Sequence, residues 1–533
     1  MEDNKQEPLS PREAPTEEIE VSAPAGAETA SAQDASTPPA STPPAGGKSI
    51  KKNYFYNLVY QLFLVVVPTV VTPYVARVLG DEGSGQYSFT YSLLTYFTLF
   101  AALGFGYYAQ RLVAKHQGDK RQQSIDFWEV MIARAVPVVA TLAVYLLLIF
   151  LGVYEEKYKL LMIILTIEVV SVFFNIAFFF QGNEEFGKTV LRNVIVKSLG
   201  IAAIFLFVRD AGDLWVYALI QALTVFFANI SLWLYLPRAL TRVSLSDLHP
   251  MAHLKPAFFL FLPTIATSVY TSLDKTFIGL ITHSDSENGN YEYAEKLVKM
   301  AMMAVTSLGV VMIPRNARKF EERDLAGVRD NINRSTRFVL CLGIPMTLGI
   351  VAVADNLIPW FLGGGYDKAA NLMKLLAPLI LIIGLSNVFG LQYLVPSGQD
   401  KRFTIAITAG AFTNLALNCV MIYFFASYGA AVATLIAEAV VTLIMYLFIR
   451  RDIDFLKTVL SSWKYYVGGA VMFPVCFFLG ERLSPSVAHT LLLVGIGIGI
   501  YLVMLLILRE EYLMSALRKA KKILSRKKNK EGE

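Results

Sequence analysis

Apolar residues run in blocks of about 20 along nearly the whole chain, each long enough to cross a bilayer as a helix. Fourteen blocks are read, near 54–79, 88–110, 127–151, 158–180, 190–208, 214–236, 256–281, 291–313, 336–354, 371–395, 403–424, 429–449, 463–480 and 488–508. Inside lipid every backbone amide needs an internal partner, which a helix supplies within one segment. The short alternating segments of an outer-membrane barrel are missing. The expected fold class is an all-α membrane protein with 14 transmembrane helices.

The polar positions add direction. Lys and Arg concentrate on alternate loops, as in Arg315, Arg318, Lys319, Arg323, Arg329, Arg334 and Arg337 after the eighth span. By the positive-inside rule both termini face the cytoplasm. Residues 1–47 break the pattern: nine acidic residues stand against Lys5 and Arg12, in a background of Pro, Ala, Ser and Thr. Such a segment cannot bury enough apolar area to offset its ordering entropy and reads as a disordered tail without a signal peptide. A basic tail, 511–533, follows the last span and suits anionic membrane lipids.

Two segments repeat. Pro68-Thr69-Val70-Val71-Thr72 in span 1 matches Pro263-Thr264-Ile265-Ala266-Thr267 in span 7, and Gly85-Gln86-Tyr87 matches Gly289-Asn290-Tyr291 beyond them. Six spans separate the copies, so both cross in the same direction. This divides the chain into a lobe over 48–255 (helices 1–6), a second over 256–460 (helices 7–12), and two extra helices over 461–510. Pseudo-symmetric lobes around a central cavity suit alternating access. Pro68 and Pro263 would then be matched hinges, since proline frees a carbonyl and permits a bend.

Ionisable residues inside apolar spans are costly and mark function. Arg77, Lys275, Lys296 and Lys299 fall in the half of spans 1, 7 and 8 nearest the outer loops and are read as a cationic cavity for a phosphate group. Asn57, Gln61, Thr72, Thr267, Thr271, Asp274, Glu168, Glu438, Asn414 and Asn418 supply polar or ion-coupling positions. Each has a plainer reading: the lysines as snorkelling side chains, the asparagines as helix–helix glue, Arg77 as an end-of-helix anchor. The five histidines lie in loops or near span ends, so no buried catalytic histidine is expected, and Cys341, Cys419 and Cys476 show neither disulfide nor metal spacing.

Several strings resemble the polysaccharide, or oligosaccharide-lipid, flippase family. They are Phe179-Phe180-Gln181-Gly182-Asn183-Glu184-Glu185-Phe186, Leu273-Asp274-Lys275-Thr276-Phe277, Tyr293-Ala294-Glu295-Lys296, Ile313-Pro314-Arg315 and Tyr393-Leu394-Val395-Pro396-Ser397-Gly398. The resemblance implies a bacterial inner-membrane flippase for a polyprenyl-diphosphate-linked oligosaccharide, destined for capsule, O-antigen, teichoic acid or exopolysaccharide. It implies polymerase and glycosyltransferase partners, no nucleic acid, no cofactor beyond a coupling proton or sodium ion, and no enzymatic activity. Among family members cationic cavity residues are thought to hold the diphosphate, which maps by location onto Arg77, Lys275 and Lys296. The nearest rival is a drug or cation antiporter of the multidrug-and-toxin exporter type, kept open by Glu168 and Glu438.

Overall fold

The computed structural model describes residues 49–511, 513 and 514; side chains at 49–66, 186, 238, 245, 262–271 and 310 fall outside that description. Asn57, Gln61, Pro263, Thr267, Thr271, the N-terminal tail and the C-terminal tail beyond 514 therefore lie outside the described side chains. Among the described residues there are helices and turns and no strand. Among the described residues, ten helical stretches are long and apolar enough to cross a membrane, which makes this a multi-pass membrane protein.

Two helices are too long for a single crossing. α1 (Ser49–Ala102) has 54 residues and α13 (Asp400–Ile449) has 50. At 1.5 Å per residue each would measure about 75–80 Å, against about 30 Å of hydrocarbon. Both contain a break where the sequence predicts a loop. In α1 it is Gly80, at φ 70. In α13 it is Ala426, at φ 50 and ψ −132. The arms of α13 then run side by side: a Cβ on Gly410 would lie 2.1 Å from a Val441 methyl carbon. Gly429 makes the reversal possible, because a Cβ there would lie 2.1 Å from the Met421 carbonyl oxygen. Gly429→Ala should destabilise the protein by about 1–3 kcal/mol, read as a lower melting temperature in detergent.

The N-terminal half continues with α2 (Phe105–Lys115), α3 (Lys120–Phe150), α4 (Glu156–Phe174), α5 (Ala177–Gly182), α6 (Phe186–Phe207) and α7 (Leu214–Ile230). The predicted spans 88–110 and 158–180 are thus each interrupted, at Leu103–Gly104 and at Asn175–Ile176. A linker with short 3₁₀ turns leads to α8 (Leu254–Thr282), α9 (Asp285–Glu321) and α10 (Leu325–Phe361). The predicted span 371–395 is built from α11 (Asp367–Leu376), α12 (Leu379–Phe389) and a π-helical turn over Gly390–Leu394. α14 (Phe455–Ser461), α15 (Trp463–Arg482) and α16 (Val487–Ile507) close the fold.

Side-chain caps start several helices: Asp119 accepts from Arg121 and Gln122 amides before α3, and Asp324 from the Gly327 amide before α10. α15 packs on α10 through Gly469, which faces Ile344 and Leu348, and through Gly480, whose carbonyl accepts from Asn356 Nδ2 at 2.8 Å.

The two halves meet where the repeated Gly-x-Tyr segments lie. A Cβ on Gly85 would sit 1.7 Å from the Asp285 carbonyl oxygen, and one on Gly289 would sit 2.1 Å from the Asp81 carbonyl oxygen. The contact is reciprocal: α1 touches α9 with the same glycine and aspartate, four residues apart, that α9 offers in return. This end of the bundle is called the glycine end, and the other, which carries residues 239–253, the linker end.

Candidate functional site

Asp274 on α8 is 6% exposed. Leaving a buried carboxylate unpartnered would cost several kcal/mol. Here four donors surround it. Tyr291 Oη and Thr434 Oγ1 donate to Oδ2 at 2.5 Å each, and Asn418 Nδ2 and Asn414 Nδ2 donate to Oδ1 at 2.6 and 3.2 Å. The spacing explains how. Asn414 and Asn418 are one turn apart on the first arm of α13, Thr434 comes from its second arm, and Tyr291 from α9. The Ala426 break is what brings 414, 418 and 434 to one carboxylate.

Lys275, the next residue, points elsewhere. It pairs with Glu292 and, at 3.2 Å, with Glu295, both on α9. Lys299 pairs with Glu295 at 2.6 Å. Lys296 lies 5.9 Å from the Tyr293 ring centroid, with no carboxylate within 4 Å among the described residues. Three cations against two carboxylates leave one positive charge, concentrated on Lys296. A cavity of about 30 Å³ joins the two groups, lined by Asp274, Glu295, Lys299, Asn414, Thr434 and Glu438. It is roomy enough for one or two waters.

The structure thus gathers Asp274, Lys275, Lys296, Lys299, Asn414, Asn418 and Glu438. It does not bring Arg77 to them. Arg77 is exposed, donates to the Trp360 carbonyl on α10 and lies 3.1 Å from a Cβ built on Gly363. A five-donor guanidinium beside a helix end finds a free carbonyl more readily than it reaches across packed helices. Thr72 is buried in α1, Pro68 lies within α1, and Glu168 is buried on α4 in the N-terminal half. The cluster is not purely cationic as expected, because Glu292 and Glu295 neutralise two of the lysines. Their signal was present: Glu292–Lys296 and Glu295–Lys299 are i,i+4 pairs on one helix. His253 also departs from expectation. It is 9% exposed, with Nε2 2.7 Å from Glu129 Oε2 and Nδ1 2.6 Å from Tyr108 Oη.

The site is thus a buried, hydrogen-bonded carboxylate beside a partly neutralised lysine cluster, set between long apolar helices. Comparison with solved structures agrees on the fold. The chain superposes on a lipid II flippase, MurJ, in an inward closed conformation with a TM-score of 0.69 at 16% identity, over 85% of this chain and 99% of the other. An inward-facing multidrug resistance MATE family transporter follows at 0.59 and 13%, over 75% and 94%. Residues 50–320, just over half the chain, match the family described as polysaccharide biosynthesis protein, and the chain belongs to that family. The "Putative O-antigen transporter" of Escherichia coli (strain K12) is 25% identical over 406 residues, covering 76% of this chain and 97% of its own.

Proposed function

We propose that this protein is a flippase that carries a polyprenyl-diphosphate-linked oligosaccharide from the inner to the outer leaflet of a bacterial cytoplasmic membrane. The observation that carries this reading is family membership together with similarity over nearly the whole length of a protein named as a putative O-antigen transporter. Physical need supports it. One unpartnered hydroxyl moved into alkane costs about 4–8 kcal/mol, so a bare oligosaccharide would face tens of kcal/mol. A wet cleft between two lobes removes most of that barrier while the polyprenyl chain stays in lipid.

In this reading the linker end faces the cytoplasm, the chain crosses fourteen times, and lobes 48–255 and 256–460 rock against each other. The glycine-end contact then closes the path outward. Lys296 and the neighbouring Lys275 and Lys299 meet the diphosphate, and the anion competes with Glu292 and Glu295 for them. The Asp274 cavity serves a coupling proton or sodium ion, because a buried carboxylate that gains a cation loses its net charge and with it the pull on the donors around it.

The test is reconstitution of the purified protein into vesicles holding a fluorescent undecaprenyl-diphosphate oligosaccharide, with leaflet exposure read by a membrane-impermeant quencher. At least tenfold faster exchange than in empty vesicles is expected. No acceleration, together with ion-driven uptake of ethidium, would overturn the reading in favour of the drug antiporter. In the same vesicles Lys275→Ala should slow exchange by more than tenfold, because it leaves Glu292 and Glu295 under-compensated. Arg77→Ala should change it by less than threefold.

A further inference from the structure

The apolar interior of the N-terminal half divides into three cores, one of them around Val75, Leu79, Ile204, Val208 and Tyr217; the other two lie along the same chain segments. The first of these two holds Ala101 on α1, Val138 on α3, Val169 on α4 and Ala222 on α7. The second holds Phe105 on α2, Ala133 on α3, Ile176 beside α5, and Leu232 in the 3₁₀ segment Ser231–Arg238. Four chain segments pass from one core to the other, and each carries a break or a proline between its two members. Between Ala101 and Phe105 come Leu103 (φ 40) and Gly104 (φ 72), two consecutive left-handed residues. Between Ala133 and Val138 comes Pro137. Between Val169 and Ile176 comes Asn175, at ψ 98. Between Ala222 and Leu232, α7 gives way at Ser231 to eight residues of 3₁₀ helix.

One helix break is ordinary in a membrane protein. Two interruptions, a change to 3₁₀ helix and an in-helix proline between the same two cores are not, since each frees backbone groups that lipid cannot satisfy. Polar side chains gather on that level to meet them. Trp233 Nε1 donates to the Phe174 carbonyl at 2.9 Å, Arg134 Nη1 to the Asn175 carbonyl at 2.6 Å, and Asn229 Nδ2 to the Ser171 carbonyl at 3.2 Å. Asn175 Oδ1 in turn accepts from the Ala177 amide at 3.1 Å, which starts α5 afresh.

The geometry points to a transverse joint inside the N-terminal half. The linker-end portion (α2, the start of α3, α5 and residues 231–238) is one rigid body. It pivots against the glycine-end portion about a plane through Gly104, Pro137, Asn175 and Ser231. A pivot explains the pattern because a 3.6-residue helix transmits force stiffly, whereas a break lets one turn tilt against the next. The pivoting body also grips the C-terminal half. Ala257 of α8 sits in its core, and Gly104 makes room, since a Cβ there would lie 2.4 Å from the Ala257 carbonyl oxygen. Glu129 holds His253 and the His249 amide, the latter at 2.6 Å, and Ser124 Oγ accepts from the Thr241 amide at 2.9 Å. Tilting the body therefore drags the linker and the start of α8, the helix that bears Asp274 and Lys275. The joint itself is independent of the cargo; its service in transport rests on the flippase reading.

Spin-label pairs on the full chain in nanodiscs, with Cys341, Cys419 and Cys476 replaced by serine, decide it by double electron–electron resonance. Glu184 with Phe150 spans the joint; Glu184 with Met251, in the linker that the linker-end body grips, and Phe150 with Trp215, at the start of α7, are the controls on either side of it. The spanning pair should give two distances, or a distribution at least twice as wide as both controls. Equal widths in all three pairs would overturn the joint, whatever the protein carries. Asn175→Leu, which lets α4 run straight, should narrow the spanning pair to the width of the controls and lower lipid-linked oligosaccharide exchange at least tenfold. A narrowed distance with undiminished exchange would overturn the joint's part in transport, and absence of exchange in the unaltered protein would sink the flippase reading alone.

Discussion

Asp274→Ala is expected to abolish export while leaving the protein in the membrane. Four donors from three helical segments converge on this one carboxylate, and truncation strands all of them at once. Removing one partner of a buried charged network costs about 3–5 kcal/mol, which corresponds to at least a hundredfold loss of the arrangement that α8, α9 and both arms of α13 share. Asp274→Asn separates charge from shape: it retains the volume but loses the anion and turns part of the site into a donor facing donors. Export should fall about as far as with alanine, whereas the melting temperature in detergent should recover part of the loss. Near-normal export by the asparagine variant would remove the carboxylate's charge from the mechanism.

Gly289→Val is expected to have the second largest effect. The glycine end closes with backbone against backbone, and a valine would overlap the Asp81 carbonyl oxygen, 2.1 Å from where its Cβ must go. Neither side can yield by rotating a flexible side chain. The halves should be held apart at this end, which is measurable by cysteines at Glu155 and His283, whose carboxylate oxygen and imidazole nitrogen now lie 3.1 Å apart. Disulfide yield between them should drop at least fivefold, with export falling in parallel. Gly85→Val should do the same, and the double variant should be no worse than either alone, because the two glycines belong to one contact. A strongly additive double variant would refute the reciprocal closure.

Much of this architecture was legible in the hydropathy alone, because lipid leaves a chain so few options. The Asn414–Asn418 spacing identified one face of α13 without revealing what that face meets. Other features were illegible for identifiable reasons. Gly80 and Gly104 are breaks at residues that suit positive φ, but Ala426 is not; its reversal is imposed by packing of the arms. Asn175 falls inside the span 158–180, which hydropathy makes one continuous helix, and only its side-chain bond to the Ala177 amide shows that the helix stops. Arg77 shares a depth with Lys275, and depth says nothing of azimuth, so the two seemed to face one cavity. His253 was placed in a loop by the sequence; the fold buries it because Glu129 and Tyr108 supply partners for both ring nitrogens. Glu292 and Glu295 were overshadowed by the lysines beside them, although salt-bridging acids are what make such lysines tolerable at that depth.

The packing of α15 bears on biogenesis. This helix of 20 residues carries Lys464 near one end and Glu481 and Arg482 at the other, and its glycines Gly468, Gly469 and Gly480 press against Tyr501 of α16 and against Ile344 and Ala352 of α10. Its partition into lipid during synthesis leans on α10, already inserted, and on α16, not yet made. Chains cut short before Val487 should therefore leave one side of α15 without its packing partner and be degraded faster than the full chain, even though every residue before α16 is present.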